Sequence, residues 1–247
     1  MLTEAILLIA VFAFLFAGTI KGIIGIGLPT ATIAVLAQFT DPRHAVALLL
    51  LPALVTNVWQ VHRSGYLTKG IRQFWPFAVV LAPMIWLSSH YAARAPAELL
   101  TLGVGCVVVL FVITNLIAKP YTIPARLDRP VQAAAGAIAG IMGGLTSIWA
   151  PPMVIYLLAK QLTKDEFVGA TGLLILAGTV PLLAGYVQTG LMTSQLAIYS
   201  AAMVAPTWIG FAAGEYLRGK LNTEQFRYVF LVIFLLMGLN LIRKALF

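Results

Sequence analysis

Apolar residues run along this chain in ten long blocks separated by short polar breaks. The blocks cover roughly 3–20, 28–39, 44–61, 72–91, 98–118, 131–145, 151–162, 166–187, 194–214 and 225–245. Within each block the apolar positions are continuous rather than alternating, which predicts helices and argues against a membrane barrel. A bilayer core of ~30 Å needs about 20 apolar residues per helical crossing, and most blocks approach that length. The second and seventh are only about 12 residues long, and each follows a glycine-rich break. Each is therefore expected to be half of a bent or re-entrant pair. The one long polar, proline-rich stretch, 119–130, is the natural seam between two halves.

The two glycine breaks match. Gly18, Gly22 and Gly25 open the first, which ends Gly27-Leu28-Pro29; Gly136, Gly140 and Gly143 open the second, which ends Ala150-Pro151-Pro152. Other residues pair at a nearly constant offset: Pro29 with Pro152, Thr40 with Thr163, Pro83 with Pro206, and Asn115-Leu116-Ile117-Ala118-Lys119 with Asn240-Leu241-Ile242-Arg243-Lys244. Loop charge reverses between the halves. The loop around Arg63, Lys69 and Arg72 is basic and its counterpart, 188–194, is uncharged. The loop at Arg94 and Glu98 is neutral, while its counterpart carries Arg218, Lys220 and Arg227 against Glu224. Because basic loops favour the inner face, the halves are expected to be inverted in the membrane. An odd number of crossings per half, five or three, permits this. The connector then lies inside and both termini outside; Arg243 and Lys244 run against that placement. The expected fold is an all-α polytopic membrane protein. It has two inverted repeats, 1–118 and 131–247, of about five apolar segments each with broken or re-entrant helices, joined by the connector 119–130.

Composition agrees. The chain is 61% hydrophobic and 10% charged, with a mean hydropathy of +0.96. Sixteen Lys and Arg face eight Asp and Glu, a net charge of +8. The excess sits in short loops, so it reads as orientation in a bilayer and not as a nucleic-acid surface. The single cysteine, Cys106, excludes an internal disulfide. The first twenty residues show neither a basic n-region nor a small-residue cleavage site and are read as retained.

The two breaks, the Ala150-Pro151-Pro152 element before a short helix, and Pro52-Ala53-Leu54-Val55-Thr56-Asn57-Val58-Trp59-Gln60 resemble the TauE/SafE family, also called the sulfite exporter or TSUP family. The resemblance covers essentially the whole chain. One departure is Gly27-Leu28-Pro29, where many members carry a longer run of glycines. The resemblance implies a multi-pass transporter of the bacterial or archaeal plasma (inner) membrane. The substrates it implies are small sulfur-containing anions: sulfite, thiosulfate or an organosulfonate.

The residues themselves suggest how such an anion is held. A helix that begins inside the membrane presents free N–H groups and the positive end of its dipole, and an oxyanion needs several such donors. Short helices starting near Leu28 and near Ala150 would supply two N-termini directed into one central cavity. Gly22, Gly25 and Gly27 in the first break and Gly143 and Gly144 in the second let backbone approach a ligand, or else serve close helix packing. Thr146 and Ser147 add hydroxyls, as Thr30 and Thr32 do after the first break. Lys21, between two apolar segments, is either a counter-charge for the anion or a side chain snorkelling to the interface. Asn57 and Gln60, three apart on one helix face, either donate to the oxyanion or bond across helices. Trp149 either lines the cavity or packs. Thr179 is a weaker candidate.

Enzymatic readings find little. The chain has no phosphate-binding loop, no zinc-ligand pattern among His44, His62 and His90, and no carboxylate paired with Glu215. No cofactor and no metal are expected. The favoured function is a secondary transporter or permease for a small sulfur anion in the lipid bilayer, with the coupling ion unassigned and a homo-oligomer left open. The alternatives are a membrane-embedded enzyme acting on a lipid or phosphate head group, and a transporter of a non-sulfur organic anion.

Overall fold

The computed structural model describes residues 3–117, 122–218 and 223–247. Part of the connector (Lys119, Pro120 and Tyr121), Ala118 and Lys220 lie outside the described residues. Ten α-helices account for almost all of the rest, and no strand occurs among the described residues. They are α1 (Glu4–Ile24), α2 (Leu28–Leu36), α3 (Pro42–Ser64), α4 (Leu67–Arg94), α5 (Ala97–Ile117), α6 (Asp128–Thr146), α7 (Ala150–Ala159), α8 (Lys164–Gln188), α9 (Ser194–Leu217) and α10 (Thr223–Leu246). Each apolar block becomes one helix. Seven of the helices contain a stretch long and apolar enough to cross a membrane. The chain folds as an all-helical, multi-pass membrane protein.

The helices pair in two ways. α1 and α9 run parallel: Gly210 lies against the Leu15 carbonyl and Gly214 against that of Thr19. α4 and α6 do the same, with Gly136, Gly140 and Gly144 on the carbonyls of Phe77, Leu81 and Ile85. Small residues let these backbones touch, the common means of packing helices where lipid removes the hydrophobic drive. α3 and α8 run antiparallel, with Gly169 beside Ser64 and Gly172 beside Gln60. So do α5 and α10, where Gly105 meets Ile242 and the Phe111 ring sits 6.2 Å from that of Phe234.

Polar side chains gather the helix ends. At one end, Arg63 pairs with Glu215 at 2.6 Å, Lys160 with Asp128 at 2.9 Å, and Lys69 with Glu166. Arg218 donates to the carbonyls of Gly22 and Ile23. At the other end, Arg43 donates to the carbonyls of Ala92, in the last turn of α4, and of Ala95, just past it. There Lys244 donates to Ala37 and Gln38, just past α2. Cations on helix C-terminal carbonyls satisfy orphan acceptors and the dipole together. The residues after α1 thus begin at the first end, and α3 begins at the second. α2 carries the chain between them, although it spans only ~14 Å itself.

Candidate functional site at the first helix break

α1 does not stop where the sequence suggests. It continues past Lys21 for another turn, and the Gly25 N–H closes on the Lys21 carbonyl at 2.7 Å. Gly25 (φ +90°) and Gly27 (φ +105°) turn the chain in a left-handed conformation that only glycine adopts cheaply. α2 then begins with Pro29 in its first turn and no side-chain cap. The break is therefore 25–27, a sharper feature than the glycine stretch around it. The second break is its counterpart, with Ser147 at φ +60° closing α6 and Trp149 opening α7.

Lys21 lies inside the bundle, 1% exposed. Its ammonium donates to Asn57 Oδ1 at 2.6 Å and Thr56 Oγ1 at 3.2 Å, both fully buried on α3. The amide of Asn57 and the hydroxyl of Thr56 are held in turn by carbonyls one turn back, Ala53 and Pro52. Among the described residues no carboxylate pairs with Lys21. Its hydrogen-bond partners among the described residues are neutral oxygens.

Gln60 stands one turn further along α3. Its Nε2 lies within hydrogen-bonding distance of the carbonyls of Gly25 and Val168 and the hydroxyl of Thr171, at 3.3, 2.6 and 3.3 Å. Gly172 leaves room for it. One amide thus ties the break to α8. Its Oε1 is buried without a partner, as are the hydroxyls of Thr30 and Thr32 on α2. Gln60 also borders a cavity of about 340 Å³ whose charged rim is Arg63, Asp165, Glu215 and Arg218. A second cavity, of about 490 Å³, is lined by Ile24 and Ile26 of the break, Val154 and Asn115. Val168 and Arg218 border both cavities, and they are also what a β-carbon on Gly25 would meet.

The structure brings Lys21, Gly25, Asn57 and Gln60 together and sets the second break apart. α8 passes both: Val168 lies against Gly25, and Gly178 against Trp149. Ten helical residues separate those points, or ~15 Å. Trp149 is 3% exposed, its indole N–H is unpartnered, and it covers Gly143. Thr146 donates to the Met142 carbonyl and accepts from the Ile148 N–H. Ser147 is buried. Pro151 and Pro152 carry no N–H, so α7 offers fewer free donors than α2. Gly22 and Gly144 are helix-contact positions, against the α9 backbone and against Ser88 and Ile85. Thr179 is buried and donates to the Ile175 carbonyl.

Two participants were not singled out in the sequence. Thr56 stood inside a quoted motif, three residues before Trp59. Arg218 read as loop charge, although a basic residue just after an apolar helix is also a natural cap for a neighbouring helix end.

The model of the family described as sulfite exporter TauE/SafE matches residues 10–241 of the 247. The chain belongs to this family. Among curated proteins and among solved structures, nothing matches it. As a TauE/SafE protein it is a member of a transporter family, one whose name implies the export of sulfite or a related anion.

Proposed function

We propose that this protein moves a small sulfur-containing anion (sulfite, thiosulfate or an organosulfonate) across the plasma membrane by secondary transport, through a site centred on the first helix break. The observation that carries the proposal is Lys21. A cation buried in an apolar bundle without a carboxylate is expensive, and an anionic substrate is the partner that would complete it. Asn57 and Gln60 supply amides beside it. The N-terminus of α2, with Thr30 and Thr32 unpartnered, supplies further donors within the same short stretch of chain. Gly143, Gly144, Thr146, Ser147 and Trp149 belong to a second position on the path, reached in another step of transport.

The two repeats, 1–118 and 131–247, are proposed to be related by a two-fold axis in the membrane plane. Corresponding helices form the pairs α3 with α8 and α5 with α10, and both pairs are antiparallel. An axis perpendicular to the helices generates that arrangement, whereas one along the membrane normal would make each pair parallel. Such a repeat provides two equivalent breaks facing opposite sides, the geometry of alternating access.

Purified protein in proteoliposomes is expected to take up at least one of labelled sulfite, thiosulfate, sulfoacetate and taurine saturably. Lys21→Gln is expected to lower that uptake at least tenfold, the scale of a lost charge-assisted hydrogen bond of about 1.5–3 kcal/mol. Movement of carboxylates alone would reassign the substrate. Full activity of folded Lys21→Gln would remove the lysine from the site.

A further inference from the structure

Lys21 has two features that set it apart from a fixed anion-binding cation. It is a lysine, whose ammonium can lose its proton, where arginine cannot. Its hydrogen-bond partners, Asn57 Oδ1 and Thr56 Oγ1, are neutral acceptors that orient the amine without cancelling its charge. Two of the other ionisable groups near the break are already engaged. On α9, Glu215 pairs with Arg63 of α3, and Arg218 is spent on the carbonyls of Gly22 and Ile23. α2 carries no ionisable residue. His62 of α3 is exposed beside Trp59, and Asp165 of α8 borders the cavity that reaches Gln60. Among the described side chains of α10, Tyr228 is exposed, and Arg243 and Lys244 lie at the opposite end of the bundle near Gln38.

We infer that Lys21 couples transport to protons: the anion and the proton that makes the ammonium bind together, cross together and leave together. The inference rests on the transport reading above and names its coupling ion. An anion beside Lys21 cancels the cost of the buried ammonium, so anion binding strengthens proton binding, and by linkage the proton strengthens anion binding to the same degree. After the anion leaves, a lysine that kept its proton would return as an uncompensated charge through an apolar bundle. A lysine that releases the proton returns as a neutral amine still held by Asn57. The release route is short, because the cavity rimmed by Arg63, Asp165, Glu215 and Arg218 reaches Gln60, one helical turn from Asn57. The balance is one proton taken up by the amine with each anion and returned to water with it, so a monoanion moves without net charge.

The test uses proteoliposomes of the wild-type protein with a trapped pH dye. The probes are thiosulfate and methanesulfonate, neither of which carries a proton itself near neutral pH. Adding probe outside is expected to acidify the lumen. An acid-outside gradient is expected to raise accumulation of methanesulfonate by up to roughly tenfold per pH unit, the limit for one proton per anion, with no response to an imposed membrane potential. Lys21→Arg keeps the charge and cannot release the proton, so any anion movement it retains should be independent of the pH gradient. Wild-type uptake with no lumen acidification and no gradient response overturns the inference and leaves anion transport standing. Proton-coupled uptake by Lys21→Arg overturns it as well. Wild-type protein that moves neither probe ends the inference, while the wider panel of anions decides separately about transport. The wild-type measurements decide even where the variant fails to fold.

Discussion

At the scale of single residues, the two breaks solve the same backbone problem with different side chains. The first uses Gly25, whereas Ser147, 122 positions later, holds a left-handed φ of 60° with a β-carbon in place. That conformation costs a non-glycine residue about 1–2 kcal/mol, and an N–H to carbonyl bond at 2.7 Å from Ser147 back to Gly143 fixes it there. A strained residue kept at such a place suggests a use for its hydroxyl. Two substitutions separate strain from binding. Ser147→Gly removes both strain and hydroxyl. It is expected to raise the thermal unfolding temperature, by the equivalent of roughly 1 kcal/mol, while weakening anion binding by about 1–2 kcal/mol, one hydrogen bond to a charged group. Ser147→Ala should weaken binding equally without the gain in stability. Calorimetric titration beside thermal unfolding reads both quantities. Unchanged affinity in both variants would leave Ser147 a capping residue alone.

At the scale of helices, the glycines divide into two groups that spacing alone could not separate. Gly18 and Gly22 recur every fourth residue and sit on one face of α1, against backbone atoms of α9, as Gly136, Gly140 and Gly144 of α6 sit against α4. Gly25 and Gly27, by contrast, are there for their dihedral angles. In sequence both groups form one glycine-rich stretch, because a packing repeat of four runs directly into the turn. The ten helices were legible because each apolar block has to satisfy its own backbone in lipid. The hydrogen bonds from Lys21 to residues 35 and 36 positions away were not, because they depend on how α1 meets α3. The two groups of glycine differ in what a methyl would strike. A β-carbon on Gly144 would lie 2.0 Å from Ser88 Oγ and 2.5 Å from the Ile85 carbonyl, and one on Gly22 would lie 2.3 Å from the Phe211 carbonyl. Gly144→Ala and Gly22→Ala should each lower stability by at least 1–3 kcal/mol, the usual range for overpacking. On α5, a β-carbon at Gly103 meets nothing closer than Thr146 Cγ2 at 3.6 Å, an ordinary contact. Gly103→Ala should therefore be neutral, or stabilise by up to about 1 kcal/mol through helix propensity. Thermal unfolding in one detergent orders the three; a loss at Gly103 as large as at Gly144 would refute the packing assignment.

At the scale of the whole molecule, the open question is orientation, and loop charge addressed it in the sequence with one discordant pair, Arg243 and Lys244. The structure accounts for that pair. Lys244 donates to Ala37 and Gln38 and Arg243 to Asn240, so both are committed to local polar groups. Arg43, at the same end, is similarly committed to the end of α4 and to Asp41. Basic residues engaged on helix ends carry less weight as topology signals than those left to the head groups, such as Arg72, exposed near the start of α4. With the engaged ones discounted, Arg63 and Lys69 among them, Arg72 remains, and the proposed orientation puts the loop between α3 and α4 on the inner face and the loop between α8 and α9 on the outer face. In the proposed repeats these loops occupy equivalent places, each turning on a left-handed glycine, Gly65 and Gly190. They should therefore label from opposite sides of the membrane. Cys106 is the only cysteine, so Cys106→Ser provides a clean background. On it, Gln195→Cys is expected to react with an impermeant maleimide added to intact cells, and Thr68→Cys only after the membrane is opened; both positions are exposed. The reverse pattern would keep the inverted repeat and flip the molecule, placing the cavity beside Gln60 outside. Labelling of both from one side would mean that the equivalent loops share a face, which an inverted repeat forbids, and the antiparallel pairing of α3 with α8 would then need another origin.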